Sequence, residues 1–494
     1  MEEKPLISNL IMNFIRTLLN LLFPVITFSY ASRVLGDKGI GIVNYTDSIV
    51  RYLILIGGSG ISYYAMREAA RVREKRELLA QRVGELFCLN LALSGIAYLI
   101  LFGLLIAGAG KEYAAVLLVQ SGIVFFNALG MEWFYNALEE YRYIAIRTAV
   151  FQIVACVLLF FLVREEQDYL LYALIMSGAV IGMQAVNFVY VRKAGIPLSI
   201  KGCHPFREHW QGAKYVFWAN LAISVYVHID KTMLGNLCSM EAVGLYSAAH
   251  YIIQAVAGLL TCMTNVLLPR VSFYLGEGRG EKAEALLQKT GSIIIFVVIP
   301  SAVGTVCVGK SLLLLLSGET FVQAFPALAV LAVGMLFSVF NNYYIWQVMI
   351  PYRREKEAFY GTFGSAVVNI VLNFLWIPVG GMLGAAAATA AAEAALFLLC
   401  RVWIRRDREG RMRGEPCGDG GGKKIFGYVL QALAASGIGI ILSSFLIDRI
   451  VEGPLGGLLM KVLVSLLLYP VVLWFLGNET IRLAGKKVLD AMKD

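Results

Sequence analysis

Long apolar segments alternate with short polar segments along almost the whole chain. Most of the apolar segments hold about 20 residues, the helical length that crosses about 30 Å of hydrocarbon. A backbone in lipid must satisfy its own hydrogen bonds, so each segment is expected to be an α-helix. The shorter, alternating segments of a transmembrane β-barrel are not seen. The pattern predicts an all-α integral membrane protein with about fourteen transmembrane helices.

Composition and charge agree with this prediction and orient the helices. Hydrophobic residues make up 59% of the 494 residues and charged residues only 16%, against about 25% charged in a soluble protein. Basic residues concentrate in every second loop, as the positive-inside rule requires of cytoplasmic loops. The loop after the second segment is an example, with Arg67, Arg71, Arg73, Lys75, Arg76 and Arg82. The alternation predicts an even helix count and cytoplasmic termini, and it accounts for the net charge of +9 without a nucleic-acid-binding domain.

A weak internal repeat divides the chain. Each copy has a Leu-Gly pair, a later glycine and a polar residue, in the order Leu35, Gly36, Gly41 and Asp47, then Leu234, Gly235, Gly244 and His250. The offset is about 200 residues and six predicted helices, as in the parallel repeats of some transporters.

The longest loop, over about 405–424, is charged and rich in glycine, which is typical of a flexible linker. Together with the repeat, it divides the chain into four parts. We expect an N-terminal six-helix lobe over 1–200, a C-terminal six-helix lobe over 201–404, a cytoplasmic linker over 405–424, and a terminal helix pair with a cytoplasmic tail over 425–494.

Polar side chains follow one face of each of the first two predicted helices. A charge deep in the bilayer is costly, so such residues usually face a cavity or a partner. The candidate substrate-binding residues on these two helices are Asn13, Arg16, Asn20, Asn44, Asp47 and Arg51. Arg16 has no carboxylate in its own segment and is expected to line a functional cavity. Asp47 and Arg51 are i,i+4 neighbours, so a self-neutralised structural pair is an equally open interpretation.

The second half repeats this arrangement on its first two predicted helices. The candidate substrate-binding residues there are Asn220, Asp230, Lys231, His250 and Gln254. A lone histidine in a membrane is more often a helix–helix hydrogen bond than a functional group, which leaves both interpretations open for His250. Glu393 lies in an alanine-rich segment and joins Asp47 and Asp230 as a candidate for ion coupling.

No motif for catalysis, cofactor binding or metal binding is present. The eight cysteines are scattered without ligand spacing and are interpreted as small buried side chains, neither disulfide-bonded nor metal ligands. The sequence lacks a P-loop, an HExxH motif and a GxSxG motif. We therefore expect a protein that is not an enzyme and has no cofactor, with transport driven by a gradient or by the membrane potential.

Several short motifs resemble the polysaccharide and O-antigen flippases of the Wzx type. In the first half they are Asn13-Phe14, Val25 to Tyr30, Ser32 to Gly36, Gly39-Ile40-Gly41, Gly60-Ile61 and Arg67 to Ala70. In the second half they are Asp230 to Gly235, Val243 to Tyr246 and Leu268-Pro269-Arg270. The resemblance is dense over about 1–275 and is looser beyond, where it rests mainly on hydropathy.

The resemblance implies the fold of the multidrug/oligosaccharidyl-lipid/polysaccharide exporter superfamily, with two six-helix lobes around a central cavity. It implies a transporter in a bacterial inner membrane that flips an undecaprenyl-pyrophosphate-linked oligosaccharide to the outer leaflet for surface polysaccharide such as O-antigen or capsule. Its partners would be that lipid, the membrane and other polysaccharide-assembly proteins. A peptidoglycan-precursor flippase and a multidrug or cation antiporter of the same superfamily are alternatives. A membrane glycosyltransferase or polymerase would need larger outer loops than this chain has.

Overall fold

The computed structural model describes residues 6–108, 111–193, 206–265, 267–406, 422–447 and 454–478. All regular structure in these ranges is helical, with no strand. Contacts group the chain into two compact units, Met1–Ser247 and Ala248–Asp494. The predicted division into lobes at residue 200 is a different partition, and it stays a prediction.

The first unit contains eight helices and the start of a ninth. They are α1 (Leu6–Ile56), α2 (Ser62–Arg71), α3 (Arg76–Ile106), α4 (Ala114–Gly130), α5 (Glu132–Ala137), α6 (Tyr141–Leu162), α7 (Tyr169–Lys193), α8 (Phe206–Leu237) and α9 (Met240–Asn265). Helix α1 packs against α3, α4, α6, α7 and α8, so it is the central element of this unit.

The second unit contains the rest of α9 and six further helices. They are α10 (Leu267–Gly276), α11 (Gly280–Ser317), α12 (Phe325–Asn342), α13 (Glu355–Arg406), α14 (Gly422–Ile447) and α15 (Pro454–Phe475). A π-helical segment, Tyr343–Met349, continues α12. The terminal pair packs on α11, where Phe296 joins a buried cluster with Ala432 and Leu473. Residues 407–421, the centre of the predicted linker, lie outside the described part of the chain.

Two helices are long enough to cross a bilayer twice. Helix α1 has 51 residues and α13 has 52, about 75 Å each if straight. Each contains a glycine with positive φ, Gly36 at 67° and Gly381 at 51°, where a residue with a side chain would be strained. Both breaks fall between two apolar segments of the sequence, so α1 and α13 each consist of two consecutive helices joined at a kink.

Composition and exposure together mark the chain as a multi-pass membrane protein. Within the described residues, nine helical stretches are long and apolar enough to cross a membrane, and shorter apolar helices accompany them. Large apolar side chains such as Leu99, Val379 and Phe475 are exposed, which in water would leave a very extended apolar surface. The all-α membrane fold is thereby confirmed, while the count of fourteen crossings stays a prediction. Helix α8 is not among the nine because polar residues interrupt its apolar face.

The two hairpins of the internal repeat contact each other through matched glycines. A Cβ atom added to Gly41 would overlap the carbonyl oxygen of Met240, and one added to Gly244 would overlap the carbonyl oxygen of Asp37. Met240 precedes Gly244 by four residues, as Asp37 precedes Gly41. The contact is therefore reciprocal between equivalent positions, and both sites require glycine because backbone approaches backbone.

Two local expectations are corrected by the structure. The apolar segment over about 113–138, expected to form one helix, is divided in two. Met131 adopts a left-handed conformation (φ 43°, ψ 49°) that separates α4 from α5. Cys88 is disulfide-bonded, so the interpretation of all cysteines as unpaired is wrong for this residue. A pairing between cysteines distant in sequence cannot be inferred from spacing alone.

Candidate functional site

The predicted charged stripe on the second half of α1 is present. The Arg51 guanidinium contacts Asp47, with its Nε 3.2 Å from a carboxylate oxygen one helical turn earlier. The Arg51 side chain keeps 52% of its surface exposed, whereas the Asp47 side chain keeps 26%. On α8, Lys231 is buried and donates from Nζ to the Asn44 amide oxygen at 3.3 Å. Three predicted site residues of α1 and one of α8 therefore lie close together.

Uncharged hydrogen bonds hold α8 against this stretch of α1. The hydroxyls of Ser48 and Thr232 lie 2.8 Å apart, and the Tyr52 hydroxyl lies 3.2 Å from that of Thr232. One turn further along, the Tyr45 hydroxyl donates to the Asn236 amide oxygen at 3.1 Å. These contacts hold α8 against α1 close to the contact between Lys231 and Asn44.

Asp230 points away from this contact and into the hairpin between α8 and α9. It is buried and accepts a hydrogen bond from the Tyr246 hydroxyl at 2.5 Å. Adjacent residues on a helix face different directions, which explains why Asp230 and Lys231 serve different contacts.

Arg16, the first charged candidate, has a partner that no local spacing predicts. Its Nη2 lies 2.5 Å from Oε1 of Glu132, the first residue of α5, and its Nη1 donates to the Asn136 amide oxygen at 3.3 Å. Arg16 and Glu132 are 22% and 28% exposed, so the pair is reached from outside the protein core. The left-handed Met131 turns the chain just before Glu132 and sets its direction.

A second arginine lies behind this pair. Arg147 of α6 has only 4% of its side chain exposed, and its Nη2 is 3.5 Å from the other Glu132 oxygen. Its Nη1 donates to the Asn187 amide oxygen. Gln184 of α7 completes the arrangement, with Nε2 3.5 Å from the same Glu132 oxygen. Two guanidiniums thus share one carboxylate, and the three side chains carry a formal charge of +1.

The sequence missed Glu132 and Arg147 as site residues. The alternation of basic loops predicts Arg147, with Arg142, in a cytoplasmic loop, whereas the structure buries Arg147 in α6. A usable signal was present, because Glu132 is a carboxylate inside an apolar segment. Its partners lie 116 and 15 residues away, so their identity was not readable from spacing.

Other predicted residues lie at separate places. Asn20 accepts a hydrogen bond from Gln152 of α6 at 3.1 Å, and Asn220 donates to the Gly60 carbonyl at 3.0 Å. His250 and Gln254 lie on the part of α9 that belongs to the second unit, with Gln254 exposed. The side chain of Asn13 lies outside the described part of the structure.

A third charged site fixes the beginning of α8. His209 is buried between the Tyr64 hydroxyl, 3.0 Å from Nδ1, and the Glu85 carboxylate, 3.0 Å from Nε2. Arg82 also contacts Glu85 at 3.2 Å. These contacts join the beginning of α8 to α2 and α3, whereas Lys231 and Thr232 contact α1 near the other end of α8.

Glu393, the ion-coupling candidate of the second unit, lies in a polar contact between α12 and α13. The Asn341 amide nitrogen donates to its carboxylate at 2.6 Å and to its carbonyl at 2.9 Å. Nearby on α13, the Ser365 hydroxyl donates to the Ala392 carbonyl at 2.8 Å. No group of three or more His, Cys, Asp or Glu side chains is arranged to hold a metal ion in the ranges the structure describes.

Proteins of similar fold are membrane transporters. The Lipid II flippase MurJ, in an inward closed conformation, superposes with a TM-score of 0.72 at 14% identity, over 94% of this chain and 98% of that one. An inward-facing multidrug resistance MATE transporter of the MOP superfamily gives a TM-score of 0.61 at 14% identity, over 81% of this chain and 99% of that one. At such low identity the likeness establishes the fold.

Relatives in sequence are named as transporters or flippases. A protein of Escherichia coli (strain K12) named "Putative O-antigen transporter" is 23% identical over 394 residues, which is 79% of this chain and 94% of the relative. The "Probable flippase AglR" of Haloferax volcanii is 28% identical over 230 residues, 45% of this chain and 46% of that protein.

The family described as "Polysaccharide biosynthesis protein" matches residues 6–274, more than half of the chain. This range covers the region where the motifs resemble Wzx-type flippases, so that resemblance is confirmed. It also contains Arg16, Arg51, Glu132, Arg147 and Lys231. The chain belongs to the polysaccharide biosynthesis protein family.

Proposed function

We propose that this protein flips an undecaprenyl-pyrophosphate-linked oligosaccharide from the cytoplasmic to the outer leaflet, for the synthesis of a surface polysaccharide such as O-antigen or capsule. Family membership and the relatives named for O-antigen transport support the class of substrate. The likeness to a flippase of a lipid-linked precursor supports the type of transport.

The observation that carries this proposal is the set of cations on α1 and α8. Arg16, Arg51 and Lys231 lie on helices that a lipid-embedded protein would otherwise keep apolar, and both arginines are partly exposed. Guanidinium pairs with phosphate through two parallel hydrogen bonds, which suits a pyrophosphate head group. The lipid tail needs no polar site because it stays in the bilayer.

The remaining polar candidates suit the sugar. Amide side chains and the neutral imidazole donate and accept hydrogen bonds, as sugar hydroxyls require. We assign this role to Asn13, Asn20, Asn44, Asn220, His250 and Gln254, and we assign the balancing negative charge to Asp47 and Asp230.

Alternating access would move one six-helix lobe against the other, with the lobes over 1–200 and 201–404. The distribution of basic loops supports a location in the bacterial inner membrane with both termini in the cytoplasm. Asp47, Asp230 and Glu393 are the candidates for coupling to an ion gradient. Neutralising the coupling residue should abolish the dependence of flipping on that gradient while downhill exchange continues.

The test is transport by the purified full-length protein in proteoliposomes that contain a defined lipid-linked oligosaccharide, with and without proton or sodium gradients. We expect the labelled lipid to reach the opposite leaflet faster than in protein-free liposomes. Absence of flipping, together with efflux of a cationic dye, would favour an antiporter instead.

A second substrate is tested in the same assay. The TM-score of 0.72 with the Lipid II flippase MurJ favours a peptidoglycan precursor as the alternative. If the peptidoglycan precursor is flipped faster than lipid-linked surface-polysaccharide units, the protein is a peptidoglycan-precursor flippase. Co-purification after crosslinking tests contacts with other polysaccharide-assembly proteins.

A further inference from the structure

The carboxylate of Glu132 occupies the position on Arg16 that an anionic ligand would need. Its Oε1 is 2.5 Å from Arg16 Nη2, so the two side chains form a charged hydrogen bond. A phosphate oxygen would approach the same nitrogen along the same direction. Glu132 and a bound phosphate therefore compete for the Nη2 donor of Arg16.

Glu132 has a second cation to hold it when Arg16 is released. Its Oε2 lies 3.5 Å from Nη2 of Arg147, and Gln184 approaches the same oxygen. Arg147 is nearly fully buried and is fixed by Asn187 and by the Tyr143 ring, which lies 5.9 Å from its Cζ. Arg16 is a long side chain with more of its surface exposed, so it can leave the carboxylate while Arg147 stays.

The backbone supports a dedicated position for Glu132. Met131 holds a left-handed conformation that residues with side chains rarely adopt and that costs free energy. It lies directly before Glu132 and its side chain is fully buried, so the turn is fixed by packing. Backbone strain of this kind is often maintained where it positions a functional group.

We infer that Glu132 is a positioning residue that acts as an internal counter-anion: it holds Arg16 in the empty transporter and gives Arg16 up to a phosphate of the substrate, while Arg147 retains it. The inference rests on the proposed function for the identity of the lipid, but its chemistry is that of any polyphosphate anion. The exchange lowers affinity for phosphate and allows its release on the other side of the membrane.

The experiment compares the Glu132→Gln variant with the unmodified protein. Both are full-length and reconstituted in nanodiscs. Two probes are titrated, inorganic pyrophosphate and undecaprenyl pyrophosphate. The variant keeps the shape of the side chain and removes its charge, so we expect both probes to bind about tenfold more tightly, as loss of a competing charged hydrogen bond implies. In proteoliposomes, we expect the KM for the lipid-linked substrate and kcat both to fall, because release becomes slower.

The matched control is Glu139→Gln. Glu139 also pairs with an arginine, Arg73 at 3.0 Å, but both side chains are about half exposed. The control removes the same charge seven residues away and should leave binding and transport unchanged. If Glu132→Gln does not fold because Arg147 loses its carboxylate, the double variant Glu132→Gln with Arg147→Gln removes both buried charges and should show the same tighter binding.

The outcomes separate this inference from the proposed function. Tighter binding of both probes, or of the lipid alone, supports it. Unchanged or weaker binding of both probes to a folded variant overturns it and leaves Glu132 a structural residue. Tighter binding of inorganic pyrophosphate, with no binding of the lipid by the unmodified protein, supports the exchange at Arg16 and overturns the proposed substrate.

Discussion

Two arginines of helix α1 are neutralised in different ways. Arg51 pairs with Asp47 one turn away on the same helix, and 52% of its side chain stays exposed. Arg16 pairs with Glu132 of another helix, and a second, buried arginine shares that carboxylate. The first pair is independent of tertiary structure, since any helix would form it. The second exists only where α1, α5 and α6 meet. The Arg16–Glu132 pair therefore depends on how the helices of the first unit pack.

The largest expected effect comes from removing the buried member of the second site. Arg147→Ala removes the buried cation that contacts both Glu132 and Asn187, and removing one partner of a buried ion pair costs up to about 3–5 kcal/mol. We expect a clearly lower midpoint of thermal unfolding in detergent and a reduced yield of monodisperse protein. Arg142→Ala, an exposed arginine of the same helix, is the control. A midpoint equal to that of the unmodified protein would show that Arg147 does not stabilise this unit.

The next effect concerns transport instead of folding. Arg16→Ala should lower the flipping rate by about 10- to 100-fold, since a charged hydrogen bond to phosphate contributes about 1.5–3 kcal/mol. Arg51→Ala should also reduce flipping, and both variants should insert in the membrane normally. Complementation of a flippase-deficient strain and flipping in proteoliposomes measure this, with Arg33→Ala of the same helix as the control. Full complementation by both variants at normal expression would contradict the assignment of these arginines.

Exchanging the charges within each ion pair tests directly whether the two pairs contribute differently to stability. Arg16→Glu combined with Glu132→Arg places a second arginine beside Arg147, so we expect lower stability and no flipping. Asp47→Arg combined with Arg51→Asp reverses an exposed pair on one helix, so stability should change little while the cation moves by one turn. Unfolding midpoints of the two double variants, measured side by side, provide the test. Equal midpoints would mean that the buried Arg147 beside Glu132 adds nothing to the cost of reversing that pair.

The smallest effect is expected for Asp47→Asn. Partly exposed ion pairs contribute about 0–1 kcal/mol, and most of the Arg51 side chain is already in contact with its surroundings outside the protein. The unfolding midpoint should match that of Glu68→Gln, which opens the exposed i,i+3 pair with Arg71. A large loss of stability would show that Asp47 also balances the buried Lys231.

The sequence predicted those parts of the site that depend on helical period. Asp47 and Arg51 were recognised as neighbours, and Lys231 was recognised as a membrane-embedded cation of the second half. Their contact across α1 and α8, through Asn44, needed the tertiary structure. The break at Met131 was missed because a left-handed residue between two apolar helices has no glycine or proline to mark it.

By itself, the sequence determined that the chain is built from membrane-crossing helices, because length and apolarity are local properties that the bilayer selects directly. It also determined the pairing of Asp47 with Arg51, since one helical turn brings them together. Only the tertiary structure decided that Glu132 lies between Arg16 and Arg147, and that Gly41 and Gly244 meet the backbones of each other's hairpins. Such contacts depend on which helices are adjacent and at what height, and no period along a single helix specifies either.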